Sequence, residues 1–126
     1  MKRSTVLRVF GLTSIGLLAR VGADSFWRVM GATSMAVLTQ EQIQIRLGTL
    51  DGWELQGDRI QRMFKFNNFV EAIAFVNRIV EPAETANHHP DLEVSYGKVV
   101  VYLTTHDAGG LTEKDFDLAQ AIETVL

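Results

Sequence analysis

The sequence predicts an α+β domain, a four-stranded antiparallel sheet with helices packed on one face, in the order helix, two strands, helix, two strands, helix. Three observations lead there. Apolar residues recur at intervals of three and four in three stretches, each opened by a capping signal at Thr39, Asn68 or Thr112. Between these stretches lie two pairs of short runs rich in aromatic and β-branched residues, each pair joined by a turn at a glycine. The chain has 126 residues, of which 47% are hydrophobic and 21% charged, enough for one domain with a modest core.

The elements follow in order. Thr39 precedes Gln42 by three residues, the spacing of a capping box, and Ile43, Leu47 and Leu50 then repeat at helical intervals, so a short helix is expected near 40–48. Trp53–Leu55 and Ile60–Phe66 are expected strands joined at Gly57–Asp58, with Ile60, Phe64 and Phe66 on one face. Asn68 and Glu71 open the next helix, whose stripe is Phe69, Ala72, Ile73, Val76, Ile79 and Val80. Pro82 lacks a backbone N–H and crowds the preceding turn, which predicts a kink or a restarted turn before the helix ends near Ala86. Glu93–Tyr96 and Lys98–Thr104 read as a hairpin about Gly97. The second of these is apolar on both sides (Val99, Val101 and Leu103; Val100 and Tyr102), which places it centrally in the sheet or beneath a partner. After Gly109–Gly110, Thr112 with Asp115 opens a last helix with Phe116, Ala119, Ile122 and Val125 on one face.

Residues 1–35 do not share this pattern and are expected to form an extension outside the domain of residues 36–126. Up to Ser34 they carry five basic residues against one acid, and Val9–Ala19 is apolar but shorter than the roughly 20 residues a membrane-spanning helix needs. A secretory signal, an organellar transit peptide and a translation start at Met35 are the competing readings, the last being favoured because Met35 leads directly into the first helix signal. The expected location is cytoplasmic, or organellar or exported if the segment is a targeting sequence. Excluding it leaves seven basic and fourteen acidic residues, a net charge of −7, which argues against phosphate-backbone binding. No cysteine is present, so thiolate nucleophiles, disulfides and Cys-ligated metals are excluded.

The chemistry-bearing residues fall in two short segments, Glu84-Thr-Ala-Asn-His88-His89-Pro90-Asp91 and Thr104-Thr105-His106-Asp107-Ala108-Gly109-Gly110-Leu111-Thr112. One follows a long helix and the other ends a strand. Histidine is the side chain best suited to moving protons near neutral pH. Pro90 stiffens the loop and biases His89 toward an extended conformation. Three histidines with Asp91 or Asp107 could in principle hold zinc, but no His-x-x-x-His spacing occurs and adjacent residues of an extended segment point apart, so no metal is expected.

The run Glu84-x-x-x-His88-His89-Pro90, followed by Thr105-His106-Asp107-x-x-Gly110-Leu111-Thr112-x-x-Asp115, resembles the pterin-4a-carbinolamine dehydratases. The resemblance extends from about Leu38 to the C-terminus and takes in Trp53 and the Phe64/Phe66 strand. It implies a hydro-lyase that removes water from 4a-hydroxytetrahydropterin to give quinonoid dihydropterin, in pterin recycling beside an aromatic amino-acid hydroxylase. An acid must protonate the departing hydroxyl and a base must take a ring-nitrogen proton, so neither metal nor cofactor is required. On this resemblance His88 and His106 are the acid–base pair and His89 orients the pterin. Glu84 either orients His88 or meets the amino-pyrimidine edge, and Pro90, Asp107 and Asp115 complete the substrate site. A homodimer or homotetramer is implied, with no nucleic acid or membrane partner. Leu92 stands where family members often carry tryptophan, which leaves the pterin's side chain open.

Plainer readings stand beside these. Asp115 at the third position after Thr112 fits a capping role, Glu84 fits a solvated helix residue, and the phenylalanines fit a core. The alternative function is a non-catalytic dimerisation or interaction module of the same fold, since some family members are dimerisation partners of a transcription factor. Convergence of the three imidazoles on one cleft discriminates between the two.

Overall fold

The computed structural model describes residues 36–126, so the readings placed on residues 1–35 lie outside the described residues. Helix α1 spans Gln40–Leu47 and starts as its sequence predicts. Thr39 Oγ1 accepts from the Gln42 N–H (3.1 Å), and Gln42 Oε1 accepts in return from the Thr39 N–H (2.8 Å). Strands β1 (Glu54–Gln56) and β2 (Arg59–Lys65) form the first hairpin, with Gly57 in the left-handed region at φ 64°. Helix α2 spans Phe69–Ala86, strands β3 (Asp91–Ser95) and β4 (Lys98–Leu103) form the second hairpin, and helix α3 spans Glu113–Thr124. The strands form one antiparallel sheet in the order β1-β2-β4-β3. β4 is therefore central, which accounts for its apolar residues on both sides.

Register decides which residues face the helices. Ile60 pairs with Leu103, Arg62 with Val101 and Phe64 with Val99, and Val101 faces Leu92 on the other side. Of these, Ile60, Phe64, Val99, Val101 and Leu103 join Ala72, Phe75 and Ile79 of α2 and Phe116, Leu118, Ala119 and Ile122 of α3 in one buried cluster, with Leu92 packed against it. Met63, Lys65 and Glu93, on the opposite face, are exposed. The helices thus cover one face, as the sequence predicts.

The stripe of α2 is rotated from the expected one. Ala72, Phe75, Ile79 and Ala83 are buried, whereas Phe69 and Val80 are 51% and 55% exposed. α2 is apolar around much of its circumference, so spacing alone does not choose the seam. Phe75 chooses it, by packing its ring between Phe64 (4.7 Å between centroids) and Phe66 (5.2 Å). Of the kink or restarted turn expected at Pro82, the restart does not occur, because α2 runs unbroken through it. The missing N–H deprives only the Arg78 carbonyl, on an exposed turn where water can serve it.

Two clusters of charged residues tie the remaining elements together. Glu123 of α3 accepts from Trp53 Nε1 (2.8 Å) and pairs with Arg62, whose guanidinium also donates to the Asp51 carbonyl (2.7 Å) and lies 4.5 Å over the Phe64 ring. Arg46 pairs with Glu113 and Asp117 and sits over Phe116, joining α1 to α3. Among the described residues no helix is long and apolar enough to cross a membrane.

Candidate active site

Antiparallel pairing of β3 with β4 brings the two histidine segments together. Asp91 at the start of β3 faces Tyr102 near the end of β4. Whatever precedes β3 and whatever follows β4 must therefore share one end of the sheet. His88 and His89 precede β3, and His106 follows β4.

Each segment is shaped by a local backbone device. α2 ends with Asn87 in the left-handed region (φ 50°, ψ 43°), a conformation that asparagine tolerates better than most residues. The Asn87 N–H bonds to the Glu84 carbonyl and the His88 N–H to the Ala83 carbonyl, the double closure of a Schellman motif. Beyond β4, Thr105 bridges to Gly110 across a short 3₁₀ turn at His106–Ala108. Gly109 closes that turn at φ 79°, where a β-carbon is disfavoured.

The three imidazoles have different surroundings. His88 is buried, and its Nε2 lies 2.6 Å from Asp115 Oδ1. Asp115 is fully buried, and its other oxygen accepts from the Thr105 hydroxyl (2.8 Å) and the Thr112 N–H (2.9 Å). Thr105 and Thr112 also share a hydrogen bond between their hydroxyls (2.8 Å). A carboxylate only accepts, so the network assigns the proton of neutral His88 to Nε2 and leaves a lone pair on Nδ1. His89 and His106 are exposed. His89 Nε2 lies 2.6 Å from Glu84 Oε2, and His106 Nε2 lies 3.9 Å from Asp91 Oδ2.

Glu84 therefore pairs with His89 and not with His88. A separation of four aligns two residues only while the helix continues. The left-handed Asn87 ends it, turning His88 inward to Asp115 and leaving His89 beside Glu84.

His88, His89, His106 and Asp107 line one cleft of about 230 Å³, together with Asn87, Thr104, Thr105 and Lys114. The other expected site residues lie elsewhere. Glu84 and Pro90 border an adjoining apolar groove that shares His89 and includes Leu92. Asp115 stands behind His88, where it completes the capping box of α3 and holds the imidazole as well. Sequence reasoning missed Asn87, Thr104, Thr105 and Lys114. Thr105 adjoins His106 and was within reach of a search for hydroxyl partners, but nothing local distinguishes Lys114 from a solvated helix residue. Among the described residues no three His, Asp or Glu side chains form a group able to hold a metal ion. The cleft offers imidazoles of differing exposure, one of them fixed from behind by a buried carboxylate, and this equips it for proton transfer to and from a small ligand.

Comparison with known proteins agrees with the resemblance read from the histidine segments. A family model described as pterin 4 alpha carbinolamine dehydratase matches residues 36–125. A protein of Nostoc sp., provisionally named a pterin-4-alpha-carbinolamine dehydratase, is 57% identical over 89 residues, covering 71% of this chain and 96% of that protein. A Brucella melitensis protein described as a transcriptional coactivator/pterin dehydratase superposes with a TM-score of 0.67 at 35% identity, over 71% of this chain and 97% of that one. A pterin dehydratase-like protein described as a RuBisCO assembly factor in the alpha-carboxysome shares the fold, with a TM-score of 0.50 at 19% identity over 59% of this chain and 88% of its own. From residue 36 to residue 125, the chain belongs to the pterin 4 alpha carbinolamine dehydratase family.

Proposed function

We propose that this protein is a hydro-lyase that removes water from 4a-hydroxytetrahydropterin to give quinonoid dihydropterin, in pterin recycling. The observation that carries the reading is the meeting of His88, His89 and His106 on one small cleft, with His88 fixed by buried Asp115. The reaction needs one proton delivered to the 4a hydroxyl and one taken from a ring nitrogen. His88, with Nε2 committed to Asp115 and a lone pair on Nδ1, serves as the base. His106, at the open side of the cleft, serves as the acid that protonates the leaving hydroxyl. His89, steadied by Glu84, orients the ring with Asp107, while Pro90 holds the loop. The chemistry asks for no metal, nucleophile or redox group.

A second reading is an interaction module. It draws on the apolar residues that α2 leaves exposed, Phe69 (51%), Val70 (76%) and Val80 (55%), and on the Brucella relative, which is described as a transcriptional coactivator as well as a pterin dehydratase. The same surface favours a homodimer or homotetramer in the catalytic reading. Adding the protein to freshly generated 4a-hydroxytetrahydropterin separates the two. Dehydration well above the buffer rate supports the hydro-lyase, whereas a folded, oligomeric protein that leaves the rate unchanged supports the module.

A further inference from the structure

Lys114 sits in the first turn of α3, the end of a helix where a positive charge is electrostatically disfavoured. It is half-buried, and its two acidic neighbours are engaged elsewhere, Glu113 with Arg46 and Asp115 with His88. Among the described residues no carboxylate lies within ion-pair distance of its ammonium. Folding thus gains little from a cation here, yet the side chain lines the histidine cleft. Asp107 lines the same cleft from the 3₁₀ turn, is exposed, and has no cationic partner among the described residues either. One cleft therefore presents an ammonium, which only donates, and a carboxylate, which only accepts, with no ion pair between them.

The pyrimidinone edge of a pterin offers the complement, a carbonyl oxygen at C4 beside an N–H at N3. We propose that Lys114 and Asp107 read this edge, Lys114 donating to the C4 carbonyl and Asp107 accepting from N3–H. Lys114 is a binding residue in this scheme, and the histidines keep the proton chemistry. The inference rests on the pterin reading of the site.

The test measures binding of 7,8-dihydropterin, which has no 4a hydroxyl to lose, to the full chain by fluorescence quenching. Wild type is compared with Lys114→Gln, Lys114→Arg and Asp107→Asn, and thermal unfolding is followed for each. Charge-assisted hydrogen bonds of this kind predict affinity about 10-fold or more weaker for Lys114→Gln, with partial rescue by Lys114→Arg and a similar loss for Asp107→Asn. In turnover, KM rises more than kcat falls. The unfolding temperature of Lys114→Gln stays level or rises, because the cation leaves the positive end of the helix dipole. Wild-type affinity in Lys114→Gln, or a loss that tracks a lowered unfolding temperature, overturns the proposal. A wild-type protein that neither binds the pterin nor dehydrates its substrate overturns the functional reading itself. Normal wild-type turnover with undiminished binding by Lys114→Gln removes only this inference.

Discussion

Replacing Asp115 with asparagine tests the innermost part of the site. The carboxylate serves three donors: His88 Nε2 on Oδ1 at 2.6 Å, and the Thr105 hydroxyl and Thr112 N–H on Oδ2 at 2.8 and 2.9 Å. Asparagine keeps one oxygen, which the Thr112 N–H and Thr105 hydroxyl retain. Its amide NH₂ then faces His88, and since two N–H groups cannot bond to each other, His88 must accept through Nε2. The imidazole proton moves to Nδ1, and the lone pair that the Asp115 contact leaves on Nδ1 is lost. Positioned general bases contribute roughly 10²–10⁴-fold, and the predicted fall in turnover lies in that range. The structural cost is smaller. The three hydrogen bonds to the buried carboxylate become neutral ones but all keep a partner, a cost of about 1–3 kcal/mol. Asp115→Ala is harsher, because the His88 and Thr112 donors are left without a partner while Thr105 keeps Thr112. It costs about 3–5 kcal/mol, a large part of a small domain's 5–15. Urea unfolding and a dehydration assay on Asp115→Asn separate the two effects. A folded Asp115→Asn protein with wild-type turnover refutes the assignment of His88 as the base held by Asp115.

Other consequences follow from the same structure. Phe75 is fully buried between Phe64 and Phe66, so Phe75→Ala lowers unfolding stability by about 3–5 kcal/mol; a loss below 1 kcal/mol contradicts the core as described. Desolvation, and then the adjacent Glu93 carboxylate, raise the Tyr102 hydroxyl above its ordinary 10.0 against the opposing pull of Arg59, whose guanidinium lies 4.0 Å over the ring. A folded-state value above the unfolded one gives a contribution to stability that is present below pH 10.0 and lost as pH rises through the folded value. Ultraviolet titration therefore places Tyr102 ionisation above that of free tyrosine, and Tyr102→Phe removes this part of the alkaline destabilisation. Titration at or below the ordinary value contradicts the environment described.

Much of this arrangement was legible in the sequence because its determinants are local. Thr39 with Gln42, Asn68 with Glu71 and Thr112 with Asp115 mark the three helix starts through side chains that serve backbone groups within three residues. The β3–β4 hairpin made the meeting of the histidine segments a matter of topology once both were placed at its open end. What was not legible depends on long-range geometry. Asp115 satisfies a capping box whether or not His88 reaches it, so its second role leaves no trace in spacing. The partner of Glu84 turned on one backbone dihedral at Asn87. The seam of α2 was set by where Phe75 meets Phe64 and Phe66, a contact that periodicity does not contain.

The most direct test of the central claim is the initial rate of 4a-hydroxytetrahydropterin dehydration by the full chain and by His88→Ala, His89→Ala and His106→Ala, each verified as folded. Wild-type turnover is expected to be rapid and to fall by roughly 10²-fold or more in both His88→Ala and His106→Ala, with a smaller loss in His89→Ala. Wild-type turnover no faster than buffer, or undiminished rates in the His88 and His106 variants, contradicts it.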